Sequence, residues 1–382
     1  KTMTEKWQAE GYGKKKIEQL WNDYVSEHLL PRLHGYELMM APYAIAHMKI
    51  GLKLYETGYR FESDERVRVY LTNALEPAHD FSGTLAFAIP ALAHESEAVN
   101  EIKRKQRFTA VVGNPPYNTI SKNMGEWIKR LVGVFRIVEG SSIVEKGKRN
   151  HLQDDYVKFF RLGLLQLESS GLGVCGLITN HGFLYSPTFR GMRYYIRETV
   201  SGARFLDLNG NAKRNDAKRH PGDENVFEIQ QGVAISVFWT TPSSNDGVRL
   251  AHASAFGRRN EKYGLLSTIP SGIRYCPFSA RPDFYLFETA TQTVETEEYK
   301  LWLKLDESMP FGGTGIITNR DGFVIDFEDT PILARMRVFR DEKVPDAEAQ
   351  RLLDLKENYT WKIPKARKLF RADTDHNRLR DI

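Results

Sequence analysis

The chain has 382 residues, 41% of them hydrophobic and 27% charged, with a net charge of +5. These proportions exclude wholesale disorder and collagen-like repeats, and no apolar run reaches the ~18 residues that would suggest a membrane-spanning helix. The two cysteines, Cys175 and Cys276, exclude a disulfide framework or a cysteine-rich zinc site, and the slight basic excess permits a nucleic-acid partner without requiring one.

In chain order, Ile17, Leu20, Trp21, Tyr24, Val25 and Leu29 recur at helical spacing, so residues 14–29 read as an amphipathic helix. A short strand over 33–37 follows, then a second helix after Pro42. Residues 66–76 alternate charged and β-branched side chains and read as a strand ending near Thr72. Residues 82–106 read as helical at their charged end, and the apolar run 108–113 as a buried parallel strand. The polar stretch 118–150, weakly periodic beyond WIKRLVGVF, reads as a mobile insertion. A helix over 154–170 places Val157, Phe160, Leu164 and Leu167 on one face. A buried strand over 171–180, a helix around 188–199, a strand over 204–210 and two strands over 226–239, broken near Gln230–Gly232, complete the pattern. Strands alternating with helices predict an α/β domain with a mainly parallel sheet. Turn residues cluster near 245, which predicts a catalytic domain over 1–245 and a smaller C-terminal α+β region over 246–382.

The chemistry concentrates in FTAVVGNPPYN, where an apolar strand ends at Gly113 and runs into Asn114-Pro115-Pro116-Tyr117. Ligands of open α/β sheets bind at the carboxyl ends of strands. The prolines fix φ and donate no hydrogen bond, so the turn presents acceptors, chiefly the Pro115 carbonyl and the Asn114 amide oxygen. Two converging acceptors grip both hydrogens of an –NH2 group. The lone pair of an exocyclic base amine is delocalised into its ring, and holding both hydrogens restores it. Tyr117 offers an aromatic face on which a flat base stacks. The chemistry that fits is methyl transfer to an amino nitrogen from a sulfonium donor. By average residue usage the tetrapeptide arises by chance in a chain of this length on the order of once in a thousand, so an incidental turn is the weaker reading.

This motif resembles that of the amino-group DNA methyltransferases of the adenine-N6 type. GYELMMAPYAIAHMKI, VYLTNALE, VVGNPPYN, VFEIQQGVAI and TNRDGF together resemble the methyltransferase portion of type ISP restriction–modification enzymes. The resemblance implies a Rossmann-like, class I S-adenosylmethionine-dependent methyltransferase fold acting on double-stranded DNA in the bacterial or archaeal cytoplasm. It also implies covalently linked nuclease, helicase and target-recognition parts. It assigns Glu37 to the ribose hydroxyls of S-adenosylmethionine and Asn73, where the family has Asp or Asn, to the cofactor adenine. Pro42, with Tyr43, flanks that adenine, and Leu75 packs on its ring. The resemblance also implies that Phe227 sandwiches a flipped target adenine opposite Tyr117, with Gln231 and Gly232 shaping the same pocket; His181, which follows a strand end, is a further candidate to line it.

The family's glycine-rich cofactor loop has no counterpart before Glu37. AEGYGKK lacks a preceding apolar strand, and FGGTG at 311–315 lies too far downstream, so the loop and its strand are expected upstream of Lys1. Basic clusters near the motifs, Lys146, Lys148 and Arg149, then Lys213, Arg214, Lys218 and Arg219, are candidate DNA-phosphate contacts. No histidine or cysteine spacing suggests a metal site. Two other readings stay open. One is the same chemistry on RNA or on protein glutamine. The other is a catalytically silent DNA-binding module of a larger defence complex.

Overall fold

The computed structural model describes residues 2–62, 65–78, 90–117, 121–143, 151–211, 220–242, 247–268, 272–282, 284–288, 298–299, 301–309, 320–358 and 361–372. Two compact units divide at Thr291 and Gln292.

The first unit opens with helices α1 (Thr2–Ala9) and α2 (Lys14–Tyr24), and α2 runs on through a π turn, Val25–Leu29, into a 3-10 turn, Leu30–Arg32. Strand β1 (His34–Glu37), helix α3 (Met40–Glu56) and strand β2 (Arg68–Leu71) follow, and β1 pairs with β2 in parallel. Val25, Leu30, Leu54, Tyr59, Val67 and Val69 form the core of this layer. α3 begins two residues ahead of Pro42, whose ring lies in the first turn, where a missing N–H breaks no helical bond.

Helix α4 (Pro90–Lys105) leads into β3 (Ala110–Gly113). Helix α5 (Glu126–Gly133) and the hairpin β4 (Ile137–Val138) and β5 (Ser141–Ser142) come next, then helix α6 (Asp155–Ser170) and strand β6 (Gly173–Asn180). Helix α7 (Arg190–Thr199), strands β7 (Gly202–Asp207), β8 (Val233–Thr240) and β9 (Arg249–Ser254), helix α8 (Arg259–Ser267) and strand β10 (Cys276–Phe278) complete the unit. The six-stranded sheet has the order β10-β9-β7-β8-β6-β3. β3 runs parallel to β6 and β7 to β9, while β8 is antiparallel to both its neighbours and β10 is antiparallel to β9. The architecture is α/β as expected, but this sheet is mixed. The consecutive strands β7 and β8 lie side by side, and antiparallel neighbours need no crossover helix.

Phe160, Phe183, Phe205, Phe238 and Phe287 are fully buried and fill the main core. α6 lies close on β6, because a Cβ on Gly163 would fall 2.6 Å from Cys175 Sγ. Burial pushes the Cys175 thiol up to about 12, so this cysteine is inert packing.

Four expectations are corrected. Within the run 108–113, residues Ala110–Gly113 do form a strand parallel to β6, but among the described residues it is the sheet's edge, and Val112 is 92% exposed. Apolarity alone does not say whether a strand is covered on both sides. The described part of the expected insertion, 121–143, is packed rather than loose: Ile128, Val132, Phe135 and Val138 are buried. The periodicity of WIKRLVGVF is a real amphipathic face on α5. Residues 226–231 form no strand, and the second strand of that pair is β8 alone. Finally, the break expected near 245 falls between two strands of one sheet, since β9 pairs with β7.

The described residues of the second unit are helical: α9 (Leu305–Ser308), α10 (Asp321–Val324), α11 (Asp329–Arg340), α12 (Asp346–Leu352) and α13 (Ile363–Ala372). Strands expected in the α+β region are therefore β9 and β10 of the first unit. Phe323, Phe339, Leu353, Leu355, Ile363 and Ala366 form the second unit's core. The buried Arg367 guanidinium donates to the carbonyls of Phe339, Asp341 and Val344 and pairs with Asp346. Among the described residues, no helix is long and apolar enough to cross a membrane.

Candidate active site

Glu37 closes β1, Asn73 follows β2, Asn114 follows β3 and Asn180 closes β6, so the polar residues gather at the carboxyl ends of strands. In the Asn-Pro-Pro-Tyr turn, Asn114 and Pro116 are exposed, Pro115 is buried and Tyr117 is half-buried. The Tyr117 hydroxyl lies 3.1 Å from Asn114 Oδ1 and 3.4 Å from the Ile178 carbonyl oxygen, and burial pushes it up to about 12. The phenol therefore stays protonated and donates. Asn114 Oδ1 keeps a second lone pair for an incoming N–H.

Phe227 stands opposite Tyr117, with ring centroids 6.1 Å apart and planes tilted by 56°. Side chains set the backbone of the Phe227 loop. Asn225 Oδ1 accepts from the Phe227 N–H at 2.9 Å, while Asn225 Nδ2 donates to the carbonyls of Gly210 and Gln231. From α8, Arg259 Nε donates to the Asn225 carbonyl. The buried Lys262 ammonium donates to the carbonyls of Leu208 and Glu224 and lies 2.7 Å from Asp223 Oδ1. Asp223 in turn accepts from the Gly210 and Gly257 amides. These side-chain bonds take the place of a strand ladder over 226–231.

On the β1–β2 side, Glu37 Oε1 accepts from the amides of Leu38 and Met39 at 2.8 and 2.9 Å, and its other carboxylate oxygen is not used in those bonds. The Thr72 amide donates to the Glu37 carbonyl, which sets Glu37 and Asn73 on adjoining chain ends. Asn73 Oδ1 accepts from the Leu75 amide at 3.0 Å, and Asn73 Nδ2 donates to Glu76 Oε1 at 2.9 Å and Asn123 Oδ1 at 2.8 Å. Lys103 Nζ donates to the carbonyls of Asn73 and Glu76, closing this turn from α4. Pro42 and Tyr43 are half-buried in the first turn of α3, and Leu75 is buried in the main core.

Asn123 ties this region to α6. Its Nδ2 donates to Asp155 Oδ1 at 3.0 Å, and the Ser121 hydroxyl donates to the same oxygen at 2.5 Å. Lys158, 1% exposed, donates to Ser121 Oγ and the Asn123 carbonyl. Beside it, burial and then the Asp155 charge push the Asp154 carboxyl up to about 7, against the opposing pull of Lys158.

Residues 41–213 match the Eco57I restriction-modification methylase family model. The methylase match runs from the first turn of α3 past the Asn-Pro-Pro-Tyr turn to the chain after β7. No curated protein sequence matches the chain. Three solved structures resemble it in fold. The DrdV–DNA complex aligns at TM-score 0.62 and 20% identity, over 94% of this chain and 36% of that one. The ATP-dependent type ISP restriction-modification enzyme LlaBIII, bound to DNA, aligns at 0.60 and 18%, over 97% and 25%. A nuclease-deletion mutant of the type ISP enzyme LlaGI, with a DNA substrate mimic, aligns at 0.63 and 18%, over 98% and 36%. The chain thus spans about a quarter to a third of these proteins' length.

Of the expected site residues, Asn114, Tyr117 and Phe227 come together, as do Glu37 and Asn73. Gln231 joins the Phe227 loop through its carbonyl and accepts from Asn180 Nδ2 at 3.4 Å. His181 is buried against Asp207, 2.9 Å away, and a Cβ on Gly232 would fall 2.3 Å from its ring. Lys146, Lys148, Arg149, Lys213, Arg214, Lys218, Arg219 and the FGGTG segment lie outside the described residues. Sequence reading missed Asn123, Asp155, Lys158, Asp223, Asn225 and Lys262. The charges inside the apolar helix pattern DDYVKFF were the one available signal.

Proposed function

We propose that this chain is the catalytic core of a DNA methyltransferase that methylates the N6 amino group of a flipped-out adenine. The observation that carries the reading is the Asn-Pro-Pro-Tyr turn at the end of β3, with the Tyr117 and Phe227 rings brought together at 6.1 Å beside it, so that a base entering between them would have to part the two rings. The methylase match and the DNA-bound structural neighbours support it. Phe227 and Tyr117 stack the base, and each base–aromatic contact contributes about 1–3 kcal/mol. Asn114 Oδ1 and the Pro115 carbonyl accept the two amine hydrogens and localise the nitrogen lone pair. The target amine is paired inside a duplex, so the base leaves the stack to reach this turn.

Glu37 and Asn73 fit an adenosyl group: a carboxylate oxygen that can accept from ribose hydroxyls, and an amide oxygen that can accept from an adenine amine. S-adenosylmethionine, when bound, supplies a methyl group already activated by its sulfonium. The basic segments around 146–149 and 213–219 are proposed phosphate contacts, and linked nuclease, helicase and target-recognition parts belong to the same reading.

The test is incorporation of tritiated methyl groups from S-adenosylmethionine into unmethylated DNA, RNA and a glutamine peptide. DNA alone should be labelled, on N6 of adenine. Asn114→Ala should lower the rate by at least about a hundredfold while DNA binding survives. Label in RNA or peptide instead would replace the substrate. Near-normal transfer by Asn114→Ala would overturn the mechanism.

A further inference from the structure

An asparagine amide can present either its oxygen or its nitrogen to a ligand, whereas an aspartate presents only acceptors. Asn73 stands where an adenine amine must be told from a 6-oxo group, so its ambiguity matters. Its surroundings remove that ambiguity. Both Nδ2 hydrogens are taken, by Glu76 Oε1 at 2.9 Å and Asn123 Oδ1 at 2.8 Å, and Oδ1 takes the Leu75 amide at 3.0 Å. What remains to a ligand is one lone pair on Oδ1. The orientation traces back to groups that cannot be reversed. A backbone N–H donates to Oδ1, the Glu76 carboxylate accepts from Nδ2, and the Asp155 carboxylate holds Asn123 Nδ2, turning Asn123 Oδ1 toward Asn73. Lys158, buried, pins the Asn123 carbonyl and stays beside Asp155 at 3.8 Å.

We propose that Asn123, anchored by Asp155, is a positioning residue that with Glu76 locks Asn73 as an acceptor-only group, so that an asparagine selects a 6-aminopurine as an aspartate would. The proposal rests on the reading of Asn73 as the cofactor-adenine contact. It assigns a specificity role to a residue outside the Asn-Pro-Pro-Tyr motif: Asn123 lies six residues beyond Tyr117 in the chain.

The experiment compares binding of S-adenosylhomocysteine and its deaminated 6-oxo analogue to the full-length protein by calorimetry. The unaltered protein should favour the 6-amino ligand by at least about tenfold, the worth of one hydrogen bond. Asn123→Ala should narrow that ratio, and Asn123→Ala with Glu76→Ala should narrow it at least about threefold, since the Leu75 amide alone is then left to orient Asn73. Both positions lie outside the cores, so the fold should survive. Adding Asn73→Asp to that double variant should restore the preference, a rescue that a merely structural role would not give. A double variant that keeps the full ratio overturns the lock. If Asn73→Ala leaves affinity and ratio unchanged, the adenine contact itself is wrong and the lock falls with it. Absence of binding to the unaltered protein overturns the cofactor reading as a whole.

Discussion

Tyr117 and Phe227 lie 110 positions apart in the chain, yet their rings face each other at 6.1 Å. In the proposed function, Phe227 contributes to catalysis through a base stacked against it. Phe227→Ala should therefore lower the methylation rate about tenfold to a hundredfold, with DNA affinity in a gel-shift assay changed little. A second effect belongs to Asp154. Its folded carboxyl holds its proton up to about 7, against 3.8 ordinarily, because it is buried beside Asp155. The folded state thus binds more protons than the unfolded chain across that interval, and stability falls as pH rises through it. Asp154→Asn should remove up to about 1.4 kcal/mol per pH unit of that slope between pH 4 and pH 7, measured by urea unfolding of both proteins. Asn114, Pro115 and Tyr117 were legible in the sequence because their spacing is contiguous. Asn123 was not, because nothing local distinguishes an asparagine that pairs with Asp155 from one in a solvated turn.

At the level of elements, the loop that carries Phe227 is shaped from outside itself. α8 supplies Arg259 and Lys262, and Lys262 pairs with Asp223 while gripping the carbonyls of Leu208 and Glu224. Lys262→Met leaves Asp223 buried without its cation, and a broken buried pair costs about 3–5 kcal/mol. That loss should appear as a lower urea midpoint together with a reduced methylation rate. The helices and strands around this loop were mostly legible, since α6 and β6 follow clean periods of helix and strand. The loop was not: VFEIQQ carries a β-rich pattern, but Asn225 and its partners satisfy the backbone groups a strand would have paired. The edge position of β3 was equally invisible, because an apolar run of a few residues reads the same with one neighbour or two.

Across the whole molecule, the two units meet in sequence at Thr291 and Gln292, well past the turn cluster near 245. β9 and β10 complete the sheet and α8 clamps the Phe227 loop, so the proposed catalysis would need this segment. A fragment ending at Thr291 should unfold cooperatively in urea, whereas one ending at residue 245 should lack a cooperative transition, because it exposes the β7 edge and leaves Asp223 without Lys262. A fully cooperative 1–245 fragment would show that the sheet closes without β9.

The sequence by itself determined the order of the main strands and helices and picked out the Asn-Pro-Pro-Tyr turn on which the proposed chemistry rests. All of these depend on neighbours within a few positions, through periodicity or the fixed geometry of proline. Only the tertiary structure decided which strand is an edge, where the first unit ends, and which buried charges hold the site. Asn73 with Asn123, Asn123 with Asp155 and Asp223 with Lys262 are pairs 50, 32 and 39 positions apart. Hydrogen bonds over such separations depend on how elements pack, and packing leaves no local signature in the chain.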